Sequence, residues 1–265
     1  LREARLEDGT RVACVRRSEA IVLDDHVRAY LGHGITLGAD PIVFDVGANI
    51  GLFGVRTVQR HPGAKVFSFE PIPEIHAALA ENARRMGGMV PLRCGLSDIR
   101  GEAVFSYFPL APALSTAFPE MWDVEPGAFT EAVRGVVREA PASLAWIRWL
   151  PDGLIPVVAW GLRRGMRRVS CPLRTVSEII DEHGLDRIDL LKIDCEGAEL
   201  AVLHGIADRH WPLVRQVVAE VHDRDGRLDA VLALFARHGL DLVETERDPG
   251  VGDAALINVF ARRSS

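Results

Sequence analysis

The sequence predicts an α/β fold: a doubly wound, mostly parallel sheet of seven strands with an antiparallel C-terminal strand and an inserted helical lid. Three observations lead there. Short apolar runs alternate with stretches of about 10–15 residues at helical spacing, the pattern of βαβ units. Right-handed crossovers restrict such a chain to a Rossmann-like winding, with ligands at the carboxyl ends of the strands. The alternation lapses once, between residues 109 and 168, and then resumes, so a single domain over residues 1–265 with an insert is expected.

Residues 1–40 form an N-terminal cap segment ahead of the first regular strand. "PIVFDVG" (41–47) is a strand closed by glycine, and "NIGLFGVRTVQRH" continues as a helix. "KVFSFEP" (65–71) is a second strand, and "PEIHAALAENARRMG" (73–87) a helix stopped by Gly87. "MVPLRCGLS" (89–97) and "GEAVFSYF" (101–108) give a third and a fourth strand. The lid, residues 109–168, carries Trp122, Trp146, Trp149 and Trp160, several prolines, and the basic cluster Arg163, Arg164, Arg167 and Arg168. "RVSCPLRTV" is then a strand, "TVSEIIDEHG" a helix, "IDLLKIDC" (188–195) a buried strand and "AELAVLHGI" a helix. "VRQVVAEVH" (214–222) and "DGRLDAVLALFARHG" (225–239) form the next strand and helix, and "LDLVETE" with "ALINVFARR" close the chain as an antiparallel pair.

Composition narrows the function classes. Apolar content of 48% and charged content of 26% match an ordinary globular protein. A net charge of −6 gives no basic footprint for nucleic acid. The four cysteines are widely spaced, with no CxxC pair for zinc or redox work, which suits a reducing, cytoplasmic setting. No uninterrupted apolar span fits a membrane crossing and no signal peptide is legible. The chain begins at Leu1 rather than Met, as expected of a segment cut from something longer. Lys65 and Lys192 are the only lysines among 31 basic side chains, which makes any lysine-specific role easy to locate.

"DVGANIG" (45–51) opens the first βα turn. A dinucleotide loop needs G-x-G-x-x-G, because its second glycine lets the backbone approach a pyrophosphate. Here Asn49 takes that position, while Gly47 and Gly51 keep the turn and the helix packing. An NAD-dependent oxidoreductase is therefore disfavoured. The second strand ends in Glu70, at roughly the interval where such folds place the acid that binds ribose hydroxyls. Ribose recognition without diphosphate recognition points to S-adenosylmethionine; a plain structural turn with a solvated Glu70 is the alternative. "CGLSD" (94–98) ends the third strand, where Ser97 and Asp98 are candidates for the adenine edge, although Ser-Asp is also ordinary turn chemistry.

"VFDVGANIG", "FSFEPIPE", "LSDIRGEAVF" and "LLKIDCEGAEL", in this order, resemble the FkbM-type class I S-adenosylmethionine-dependent methyltransferases over residues 40–108 and 170–262. Members are mostly O-methyltransferases, alone or embedded in polyketide synthase and nonribosomal peptide synthetase modules; the lead-in "VRAYLGHGITL" looks like the embedded kind. The resemblance implies S-adenosylmethionine as cofactor, S-adenosylhomocysteine as product, and Tyr30, Asp45, Gly47, Asn49, Gly51, Glu70, Pro71, Ile72, Ser97, Asp98 and Asp194 as cofactor-binding positions. It also implies an acyl carrier protein with a phosphopantetheine-linked substrate, and neighbouring synthase domains, as partners. The lid matches no pattern of the family.

"LLKIDCEGAEL" (190–200) begins as a buried strand and turns acidic within a few residues. If the strands are ordered as in class I methyltransferases, it lies beside the "DVGANIG" strand. Alternation then puts Lys192, Asp194 and Glu196 on one side. The resemblance sets Asp194 nearest the cofactor's cationic groups, with Lys192 compensating the acids. An acidic first helical turn explains Glu196 and Glu199 without any function, Glu199 facing solvent. It does not explain Asp194 inside a buried run, because buried charges need partners.

An alcohol is a poor nucleophile at neutral pH, so a base is expected. "AEVHD" (219–223) ends the next strand, with Glu220 and His222 on one face. His222 is the expected catalytic base and Glu220 its orienting partner, against the reading of a surface histidine after a core strand. A competing constellation is metal: Asp194, Glu196, Glu220 and His222 as hard ligands for Mg²⁺ or Mn²⁺, ranked lower because no HxH or Glu-x-x-His motif supports it.

The lid reads as a cover over an acyl substrate, with its arginines meeting an acidic carrier or a phosphate. Alternatively residues 144–168 touch a membrane interface. The expected function is methylation of a hydroxyl, the β-hydroxyl of a carrier-bound polyketide intermediate. The alternatives are a free sugar, lipid or small-molecule acceptor, and a non-catalytic S-adenosylmethionine-binding module.

Overall fold

The computed structural model describes residues 1–27, 29–110, 112, 115–116, 127–138, 148–195, 197–223, 225–247 and 256–264. In chain order the elements are β1 (Arg2–Arg5), β2 (Arg11–Cys14), α1 (Arg17–Val27), a 3₁₀ turn (Ala29–Leu31), β3 (Ile42–Val46), α2 (Leu52–Arg60), β4 (Lys65–Phe69), α3 (Pro73–Met86), β5 (Met89–Leu92), β6 (Gly95–Leu96), β7 (Gly101–Tyr107), α4 (Ala128–Arg138), α5 (Ile155–Arg164), β8 (Arg167–Arg174), α6 (Val176–His183), β9 (Leu190–Ile193), α7 (Glu199–His204), β10 (Gln216–His222), α8 (Arg227–Arg237), β11 (Leu242–Arg247) and β12 (Leu256–Arg262). Seven strands form the main sheet in the order β11-β12-β10-β9-β3-β4-β5. β12 runs antiparallel to both neighbours and the other pairs are parallel, as the sequence predicts. The winding reverses between β3 and β9, the point where an open α/β sheet leaves a crevice for ligands.

Two strands expected from the sequence belong elsewhere. β7 and β8 pair antiparallel, and with β6 they make a separate three-stranded sheet. The stretch 89–97 therefore breaks in two: β5 joins the main sheet and β6 joins the small one. The physical reason is exposure. β7 alternates exposed and partly buried residues until Ser106, so it lacks the two apolar faces a central parallel strand needs.

The central strands have those faces. Val43, Leu190 and Val218 point into one core with Tyr30, Phe53 and Leu79, whereas Phe44, Leu191, Val217 and Ala219 point into the other with Ile179 and Trp211. Helix boundaries follow local chemistry. Pro73 sits in the first turn of α3, and α6 opens on a reciprocal capping box between Thr175 and Glu178 and stops at Gly184 in left-handed conformation.

The N-terminal segment, left without assigned elements in the sequence reading, folds as the β1–β2 hairpin, α1 and the 3₁₀ turn. It covers the first of the two cores. Three contacts fasten it: the Arg56 guanidinium of α2 grips buried Asp24 of α1 through two hydrogen bonds of 2.6 Å and also pairs with Asp8, and Asn82 of α3 exchanges hydrogen bonds with the backbone of Ala13.

In the region expected as a lid, α4 and α5 pack through Phe129, Val133, Ile155 and Ala159, with Phe108 stacked on Phe129. Trp149 is 86% exposed and Trp160 59%, with the Arg164 guanidinium over the Trp160 ring. Trp122 and Trp146 lie outside the described residues. No helix among the described residues is long and apolar enough to cross a membrane.

Replacing Asp24 by Ala leaves Arg56 with one fewer anion in a largely buried position, and is expected to lower stability by about 3 kcal/mol in urea unfolding. Replacing both by apolar residues of similar size is expected to cost less than that single change.

Candidate active site

Side-chain alternation along three adjacent strands builds the site. On the face under the N-terminal segment, the apolar sequence Val43, Leu190 and Val218 gives way, two residues on, to Asp45, Lys192 and Glu220, and then to Asp194 and His222. Asp45 and Lys192 are direct partners across the β3–β9 ladder. Their charges meet at 3.1 Å with both side chains buried, and the Lys192 ammonium is 3.4 Å from Asp194. It also lies 3.3 Å from the carbonyl oxygen of Gly47. Burial alone would lower the Lys192 pKa, but Asp45 and Asp194 outweigh it and raise it. Burial raises Asp45 against the pull of Lys192, and Asp45 Oδ2 has no hydrogen-bond donor among the described residues.

Asp194 and Glu220 sit on adjoining strand ends, and the N-terminal segment supplies what holds two such acids together. The Tyr30 hydroxyl donates to Asp194 at 2.9 Å, with Glu220 at 3.3 Å from the same oxygen. His26 Nε2 lies 2.8 Å from that hydroxyl and 3.1 Å from Glu220. Burial raises the Glu220 pKa and the neighbouring Asp194 charge adds to it, while His26 opposes both. For Asp194, burial is overcome by Lys192, His26 and Tyr30, and the carboxyl stays below its usual range. His26 is pushed up to about 9 by its hydrogen bond to Glu220, against the effect of burial.

The glycine loop is shaped by close contacts. A Cβ on Gly47 would sit 1.7 Å from the Asp194 carbonyl oxygen, and φ is +72° there, so only glycine fits. Asn49 adopts φ 50° without being glycine. Gly51, at φ +84°, packs against Leu79. Glu70 is buried and takes the amide of Ile72 at 2.9 Å and that of Asn49. Burial pushes it up to about 7 despite those two amides. Pro71 follows it, and Ile72 caps α3.

The predicted residues therefore divide. Tyr30, Asp45, Gly47, Lys192, Asp194 and Glu220 are joined by contacts, and Asn49 is tied to Glu70. Ser97 and Asp98 are not: they follow β6, hydrogen-bond to each other and hold Arg174 through the Ser97 amide, with no hydrogen bond to Glu70 or Asp45 among the described residues. Glu220 is taken up by His26 and Tyr30, and a different acid stands near His222: Glu199 Oε1 is 3.5 Å from His222 Nδ1. Glu199 was expected in solvent and is 1% exposed, its Oε1 accepting from the Gly197 amide at 2.7 Å. The turn that joins β9 to α7 folds its own acid inward. Glu196 lies outside the described residues.

Sequence reasoning missed His26. The signal available was its i,i+4 spacing to Tyr30, which puts both on one helical face. His26, Asp194 and Glu220 offer ligand atoms within 4.8 Å of one another, a spacing a divalent cation can use. Those atoms are already engaged with the Tyr30 proton, the His26 ring and the Lys192 ammonium, so the cluster is read as charge-balanced rather than as a metal centre. With three carboxylates against Lys192 and His26, the balance suits an organic cation. A cavity of about 700 Å³ opens at the opposite end of the central strands, beside Asp40, Arg187, Asp189 and Arg215, and none of the predicted site residues lines it.

Comparison with known proteins gives the family of the chain. The family described as "Methyltransferase FkbM domain" matches residues 45–242. The "31-O-demethyl-FK506 methyltransferase FkbM" of Streptomyces tacrolimicus is 36% identical over 98% of this chain and 96% of its own. The "AMB antimetabolite synthetase AmbE" of Pseudomonas aeruginosa is 36% identical over 98% of this chain, which spans only 12% of that protein. "Methyltransferase sdnD" of Sordaria araneosa is 35% identical over 78% of this chain and 76% of its own. The chain belongs to the FkbM methyltransferase domain family.

Proposed function

We propose that this chain transfers a methyl group from S-adenosylmethionine to a hydroxyl, with His222 as general base and S-adenosylhomocysteine as the second product. One observation carries the reading: five charged or titratable side chains, Asp45, Lys192, Asp194, Glu220 and His222, share one end of a sheet face that is otherwise apolar core. Family membership supports methyl transfer, and the relatives named "31-O-demethyl-FK506 methyltransferase FkbM" and "2-O-methyltransferase NoeI" support an oxygen acceptor.

The cofactor supplies an electrophilic methyl on a sulfonium and leaves as a neutral thioether. Asp194 and Glu220 hold negative charge for its cationic groups; Lys192 favours the ionised form of Asp194, and His26 opposes the protonation of Glu220. Glu70 accepts from the ribose hydroxyls when ionised, and Gly47 lets the loop close against the Asp194 backbone beside it. His222 removes the acceptor proton as the oxygen attacks. Glu199 beside Nδ1 orients the ring, a contact that tightens as the ring becomes charged.

The acceptor we infer is a β-hydroxyl on an acyl chain carried by a carrier protein, in keeping with a relative in which the matching segment is a small part of a synthetase. Exposed Arg163, Arg164, Arg167 and Arg168 suit an acidic carrier or its phosphate, and the flanking synthase domains would be the other partners. A free small-molecule acceptor is the second reading, favoured by the near full-length match to the "31-O-demethyl-FK506 methyltransferase FkbM".

Intact mass spectrometry of a β-hydroxyacyl carrier protein incubated with this chain and S-adenosylmethionine is expected to show one added methyl, with or without EDTA. Methylation of only a free hydroxylated compound selects the second reading. Cofactor binding without turnover on either acceptor makes the chain a binding module and sinks the enzyme reading. His222→Ala is expected to lower kcat by about 100-fold or more and Glu199→Gln by about tenfold.

Cofactor affinity is expected to fall as pH drops through about 7, because protonation of Glu70 removes its charge and turns one acceptor oxygen into a donor. Titration calorimetry across that range checks this, and Glu70→Gln is expected to remove the component centred near 7.

A further inference from the structure

We propose that His26 is the proton-linked member of the cofactor site: it carries a proton before the cofactor binds, gives it up when the cationic cofactor enters, and takes one back after methyl transfer. The inference rests on the cofactor reading above and adds a residue that neither the sequence motifs nor the family match covers, since the match begins at residue 45.

The geometry places a second cation beside the same carboxylates. Lys192 already sits 3.1 Å from Asp45 and 3.4 Å from Asp194. His26, delivered by α1 from the far end of the chain, adds its ring 3.1 Å from Glu220 and 2.8 Å from the Tyr30 hydroxyl. Among the described residues, the charged and titratable groups facing His26 are Glu220 from β10, Lys192 from β9, Asp194 just after β9, and Tyr30 from the 3₁₀ turn; His222 acts on it through Glu220. Unlike Lys192, His26 is partly open, with 39% of its side chain exposed, so its proton can exchange with water. The ring's elevated affinity for a proton, released near pH 9, follows from its contact with Glu220.

A sulfonium competing for the same two carboxylates opposes that proton. A unit charge a few ångströms away at an effective dielectric constant of about 20 weakens proton binding on the order of a hundredfold. Lysine, titrating far higher, keeps its proton through the same change. Linkage is reciprocal, so a protonated His26 weakens cofactor binding by the factor that the cofactor weakens its protonation.

The reaction itself closes the charge cycle. The S–CH₃ bond breaks and an O–CH₃ bond forms; the acceptor O–H bond breaks, and its proton is first held by His222. The sulfonium charge has by then become a neutral thioether, and one positive charge is missing from around Asp194 and Glu220. His26 regains a proton from water or from His222 and restores it. No oxidant or further reactant enters.

The test is calorimetric. At about pH 8, cofactor binding measured in two buffers of different ionisation enthalpy gives the number of protons released. The native protein is expected to release about half to one proton more with S-adenosylmethionine than the His26→Gln variant does, with the two nearly equal for S-adenosylhomocysteine. Equal release by native protein and variant with S-adenosylmethionine overturns the proposal. Absence of any cofactor binding by the folded native protein overturns instead the reading on which it rests. Should His26→Gln fail to fold, a histidine NMR titration of the native protein serves. One imidazole titrating near 9 is expected to move down by about one unit or more with S-adenosylmethionine and to stay with S-adenosylhomocysteine; an unmoved resonance refutes the link.

Discussion

The buried ion pair between Lys192 and Asp45 is the constraint on which the site depends. Two charges at the centre of a parallel sheet are costly to desolvate, and such a pair is retained only where its partners are close and numerous. Here the ladder sets the two residues directly opposite, and the Lys192 ammonium reaches on to Asp194 and to the backbone of the glycine loop. One cation thus fixes the ends of two strands and the turn between β3 and α2. With it in place, Asp194 stays ionised at the crevice beside Glu220, whose own charge is favoured by His26.

The second requirement is cover from the N-terminal segment. Tyr30 and His26 close the same cluster, and the Asp24–Arg56 clasp holds the helix that carries His26. The site therefore has three contributors far apart in sequence: the glycine loop, the two central strand ends and an N-terminal helix. A part of the molecule that contributes no strand to the main sheet decides the protonation of groups at its centre.

Much of the fold was legible because it is written locally. Apolar runs such as "LLKI" and stops such as Gly87 and Gly184 set element type and ends, and the order of the strands follows from handed crossovers. The neighbourhood of Asp45, Lys192 and Asp194 was legible for the same reason, since period-two alternation and adjacency of two strands are enough to place them. What could not be read was pairing at long range. β7 carries β propensity but no information on which sheet it joins. His26 meets Glu220 only because α1 docks across the sheet, and nothing local to "DDHV" declares it. Glu199 is the opposite failure: an acid in a first helical turn normally faces water, and the Gly197 amide and the His222 ring draw it inside.

The alternation that gathers these charges has a consequence for assembly of the chain. If β9 and β10 slipped together by one residue against β3 and β12, Lys192, Asp194 and Glu220 would turn into the opposite core, among Phe44, Phe67 and Ile179. A misaligned sheet would then bury three unpaired ions, whereas two purely apolar strands such as "LLKI" without its lysine would tolerate the slip far better. The polar residues at the crevice thus act as an alignment key during folding, and selection on their chemistry also maintains the pairing of the central strands.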